Sequence, residues 1–139
     1  MKNIKKIIFT IFSIFLVAAC ANVSVKEDLQ ENNWNMVQSD GNSGEADFAD
    51  DTVVFSSSNV LAMTTGYQYT LNEDETEITF TRDKPSYTGN EAEEVVMKYT
   101  IEKKDDEYLL TLISDSSEDF EKGFTITLIP KEAESTSEN

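Results

Sequence analysis

The run GYQYTLNEDETEITFT, residues 66–81, decides the fold. Tyr67, Tyr69 and Leu71 alternate with Gln68 and Thr70, and beyond an acidic turn at 72–76 Ile78 and Phe80 alternate with Glu77, Thr79 and Thr81. Successive side chains of a strand point to opposite faces, so each half has one apolar and one polar face. Two such halves joined by a short polar turn make an antiparallel hairpin.

The same texture extends both ways. A second hairpin pairs 94–102 with 107–114: Val95, Met97, Tyr99 and Ile101 face inward, 103–106 turn the chain, and Tyr108, Leu110 and Leu112 return. In a last strand at 123–130, Phe124, Ile126 and Leu128 alternate with threonines. Upstream, further strands are expected at 33–38, 45–49, 52–57 and 60–64, with 67–71 and 77–81 forming the opening hairpin. Eight or nine short strands without a long amphipathic helix predict an all-β antiparallel up-and-down meander. Closing it into a small barrel removes exposed edges. A β-sandwich is the alternative, although its usual core tryptophan sits on a middle strand and Trp34 opens the first.

Ahead of this domain the texture is different. Lys2, Lys5 and Lys6 precede an apolar run at 7–19, which ends in Val17, Ala18, Ala19 and Cys20. Thirteen residues are too few to span a bilayer as a helix, which needs roughly 20. A basic start, a short apolar run and small residues before a cut are the marks of an export signal. The stretch resembles the lipobox of bacterial lipoproteins. That resemblance implies cleavage before Cys20, a diacylglyceryl thioether on its sulfur, and attachment to the extracytoplasmic face of the cell membrane. Two acyl chains suffice for stable anchoring. Lipidation also occupies the only cysteine, which would otherwise be an unpaired thiol in an oxidising compartment. Residues 1–19 are therefore expected to be a signal peptide and 20–32 a lipidated cysteine with its tether, in which 26–30 can form a helical turn. The barrel should span 33–131, and a polar tail at 132–139 should be disordered. Ten lysines against one arginine suggest an AT-rich genome.

Charge narrows the partners. Losing the leader removes three lysines and no acid, leaving a formal charge of 8 − 27 = −19. Nucleic acid binding rests on basic residues and is not expected. An anionic bilayer surface repels such a chain, so the lipid must hold it. Cationic peptides or envelope proteins would be attracted, as in an interaction or immunity role, unless the charge serves only solubility. With no histidine, Ser-His-Asp and Cys-His nucleophile systems cannot be built. No catalytic role, cofactor or metal is assigned. The nearest approach to a calcium loop, Asp40, Asn42 and Gly44, has Glu45 where such a loop needs glycine. Acidic clusters at 73–75, 91–94 and 115–121 read as solvated charge.

Trp34 on the first strand, followed by hairpins such as 66–71 with 77–81, resembles the lipocalins and the wider calycin family over roughly residues 32–131. The family's Gly-x-Trp puts glycine where this chain has Asn32, so Trp34 alone carries over. Lys131 stands where a basic residue of the family packs on that tryptophan. The resemblance implies a barrel that binds a small apolar or amphipathic ligand inside, and the chain is expected to be a monomer. Fourteen large residues are candidates for the interior: Trp34, Met36, Phe48, Phe55, Met63, Tyr67, Tyr69, Phe80, Met97, Tyr99, Tyr108, Leu110, Phe124 and Ile126. So many can either fill a small barrel or leave a modest pocket. The ligand-binding candidates are Trp34, Tyr67, Tyr69, Tyr99 and Tyr108 on the wall. Arg82 and Tyr87 join them from a long connection at 82–93, which is expected to border the mouth.

Overall fold

Eight antiparallel strands close on themselves in sequence order, so that β1 (Trp34–Gln38) pairs with both β2 (Ser43–Phe48) and β8 (Thr125–Pro130). Between them run β3 (Thr52–Ser57), β4 (Thr64–Leu71), β5 (Glu77–Lys84), β6 (Glu93–Lys104) and β7 (Glu107–Asp115), each bonded to its neighbours in the chain. The computed structural model describes residues 23–58, 63–84, 89 and 91–132. The expected meander barrel is present, and the sandwich alternative falls because a single sheet closes completely.

Alternation builds the core. Trp34, Met36, Phe48, Tyr69, Phe80, Met97, Tyr99, Tyr108, Leu110, Ile126 and Leu128 are all buried, and Val53, Ile78, Val95, Ile101 and Leu112 join them. Both predicted hairpins form, with Tyr69 facing Phe80 in the first and Ile101 facing Leu110 in the second. A bulge between Lys98 and Tyr99 lets one extra β7 residue in, so that Met97 faces Asp115. Bulges re-aim side chains near strand ends, and this one turns Asp115 to the barrel's inner side.

Several boundaries differ from the expectation. The connection predicted at 82–93 is shorter, because Arg82, Asp83 and Lys84 continue β5 and pair with Val95, Glu94 and Glu93 of β6. Charged residues there masked a strand that main-chain pairing sustains. Strand 45–49 lies at Ser43–Phe48, 123–130 begins at Thr125, and 94–102 extends to Lys104. Of the strand expected at 60–64, residues 60–62 lie outside the described residues and Thr64 opens β4. Met63, expected inside, is 65% exposed, since it precedes the strand and sits on the rim.

The segment expected as a tether is partly folded. Ser24 caps α1 (Val25–Glu31), its side chain accepting from the Glu27 N–H at 3.1 Å, and Glu27 and Asp28 put acid in the first turn, where the helix dipole favours it. Leu29 is fully buried against the barrel. Among the described residues the core lies between Val25 and Leu128. Cys20, Tyr87 and residues 133–139 lie outside the described residues.

Candidate functional site

The two ends of the barrel differ. At one end lie the turns 49–51, 72–76 and 105–106, and α1 closes it. Gln30 Nε2 donates to the Ala49 carbonyl at 3.0 Å and to the Tyr69 hydroxyl at 3.0 Å, and the Val25 N–H donates to Glu75 at 2.9 Å. Trp34 Nε1 donates to the Leu29 carbonyl at 2.9 Å, and the indole meets Tyr108 edge-on at 5.4 Å. Tyr108 donates to Asp28 Oδ2 at 2.6 Å, and Lys103 Nζ reaches the same oxygen at 2.7 Å. Burial works against the charged form of Asp28, but the bonds from Lys103 and Tyr108 outweigh it and hold the carboxyl below its ordinary range. Burial, reinforced by Asp28, pushes the Tyr108 hydroxyl well above its ordinary value, so it stays a donor.

The opposite end carries the connections 39–42 and 116–124, and there, among the described residues, a cavity of about 180 Å³ opens. Its walls are Met36, Phe55, Phe80, Met97, Tyr99 and Ile126, with Tyr67 higher up. The rings form a continuous cluster of mainly edge-to-face contacts: Phe55–Phe80 at 5.4 Å, Phe80–Tyr99 at 5.5 Å and Phe55–Tyr67 at 5.7 Å. Phe120 and Phe124, with centroids 4.6 Å apart, roof one side. Gln38, Ser57 and Thr65 bring polar groups to the rim.

Asp115 holds that roof. Its Oδ1 accepts from the Ser117 N–H at 2.8 Å and the Ser117 hydroxyl at 2.6 Å, while Oδ2 accepts from the Phe120 N–H at 3.1 Å. Partial burial raises its proton affinity, but these bonds to the ionised form prevail and lower it. Burial pushes the Tyr99 hydroxyl far up, and the Tyr67 hydroxyl is raised by burial although Arg82 opposes the shift.

The sequence-predicted site residues thus separate into two groups. Tyr67 and Tyr99 line the cavity, and Arg82 stands beside Tyr67 at the mouth. Trp34, Tyr69 and Tyr108 face inward too, but they build the closed end. Lys131, expected on Trp34, pairs instead with Glu45 on the outer surface, since Leu29 and Tyr108 already satisfy the indole. Phe120 was hidden by its acidic surroundings; an isolated aromatic inside a run of Asp, Glu and Ser was the available signal. Among the described residues no three acidic side chains converge closely enough to hold a metal ion.

No protein-family model, curated protein or solved structure matches the chain, and its functional reading rests on this geometry.

Proposed function

We propose that the chain is a lipid-anchored protein of the extracytoplasmic membrane face which holds a small amphipathic molecule, with the molecule's apolar part inside the barrel. One observation carries the reading: among the described residues, an aromatic and methionine-lined cavity opens at one end of a barrel whose other end a helix has closed. An apolar cavity of about 150 Å³ takes one benzene ring, so 180 Å³ suits one ring or a short chain, leaving a polar head at the rim. The size argues against long acyl chains, since the pocket is smaller than the roughly 300 Å³ where drug-sized sites begin.

Native mass spectrometry of residues 22–139, purified without detergent from a lipid-containing lysate, tests the ligand. An extra mass that unfolding releases is expected. A clean apoprotein that also takes up no fluorescent apolar probe would instead favour the acidic surface as the working face, with a cationic peptide as partner. For the anchor, metabolic labelling with an alkyne fatty acid should tag the protein, and Cys20→Ala should abolish both the tag and recovery in the membrane fraction.

A further inference from the structure

The ladder between β4 and β5 stops at Gln68 opposite Thr81. Both strands continue, β4 up to Thr64 and β5 to Lys84, but no register joins them there. A groove opens in the barrel wall, lined by Gly66, Tyr67, Gln68, Thr81, Arg82 and Asp83. Main-chain parity can be read from the bonds of Tyr69 N–H to Asp51 and of Asn72 N–H to Glu77. It turns the peptide groups of Gly66 and Asp83 towards each other across the gap, where neither has a strand partner among the described residues.

Arg82 stands at this fork. Ile78 and Phe80 place it on the inner face of β5, and its cross-strand partner Val95 is buried. The guanidinium lies 5.4 Å from the Tyr67 ring centroid, and Tyr67 belongs to both the groove and the cavity. The Arg82 Nε is buried and, among the described residues, has no hydrogen-bond partner. The chain has 27 acidic residues and one arginine, yet among the described residues every ion pair belongs to a lysine. A buried, charged donor left unpaired is costly unless something else completes it.

We infer that this fork is an anion site, in which the Arg82 guanidinium and the main-chain N–H groups of Gly66 and Asp83 receive the carboxylate head of a ligand whose apolar part enters the cavity past Tyr67. The inference rests on the cavity reading above and names the ligand class. Arginine's planar fork matches a carboxylate bidentately, and charge-assisted bonds are the stronger kind. Asp83 and Glu94 border the groove, and Asp115 and Asp119 act on Tyr67 from the rim. These acids would favour a cation, so the sign of the head is the decisive observable.

Calorimetric titration of residues 22–139 with phenylbutanoate, phenylbutanamide and phenylbutylamine compares three heads on one tail. The carboxylate should bind about tenfold tighter than the amide, and Arg82→Gln should abolish that preference, bringing acid and amide to parity. The ligand series on the unaltered protein stands even if that variant fails to fold. Equal affinity for acid and amide, or tightest binding of the amine, overturns the anion site and leaves the cavity reading intact. Binding of none of the three overturns both.

Discussion

A side chain at Gly44 would put its Cβ 1.9 Å from the Ser56 carbonyl oxygen, so β2 and β3 approach more closely there than any other residue permits. Gly44→Ala must push two paired strands apart, and a loss of about 1–3 kcal/mol is expected from such overpacking; the urea unfolding midpoint measures it. Elsewhere the same scale separates what sequence shows from what it hides. Alternation alone turns Tyr67, Tyr69, Tyr99 and Tyr108 inward, and all four do face the interior. Their depth along the barrel depends on register and on the ends of neighbouring strands, which no single strand's pattern contains. Two of the four therefore line the cavity and two brace the helix. Arg82 was legible as the chain's scarce positive charge, but its place inside β5 was not, because charged residues at 82–84 imitate a loop.

The helix α1 is too short for a periodic signal, and its seven residues were visible in the sequence only as a turn within a tether. Its job depends on Leu29, which is fully buried in the barrel's end. Leu29→Ala should cost about 2–5 kcal/mol, as large-to-small core changes do. The variant should also raise hydrogen exchange at the closed end, around residues 72–76, more than at the mouth. The connection 116–124 is the counterpart at the open end, tied by Asp115 rather than by an apolar plug. Sequence marked this loop as solvated charge, and the bulge that aims Asp115 inward leaves no trace in composition.

At the scale of the molecule, acid acts in two opposite ways. The chain carries a formal charge of −16, so mild acidification relieves repulsion and should stabilise the fold. Asp28 and Asp115 have folded-state proton affinities below the ordinary value. Their contributions are complete above the unfolded aspartate pKa of about 3.9 and are lost as pH falls through the lower folded values. The melting temperature should therefore rise from pH 7 towards pH 5 and fall below about pH 4. Asp28→Asn and Asp115→Asn should each flatten the acid limb, the first at the closed end and the second at the mouth. A melting temperature that keeps rising to pH 3 would contradict the assignment.

The chain enters the fold through α1, at the closed end. Under the lipoprotein reading, four residues separate the anchored Cys20 from Val25, a reach of about 18 Å over five fully extended steps. The barrel then stands on its plug like a cup on a short stem, with its rim turned to the aqueous space. Molecules dissolved in the bilayer could not slip in from below; cargo would arrive and leave by way of water. The single-ring tail that the cavity admits suits that route, because a molecule so small needs no carrier to reach the rim.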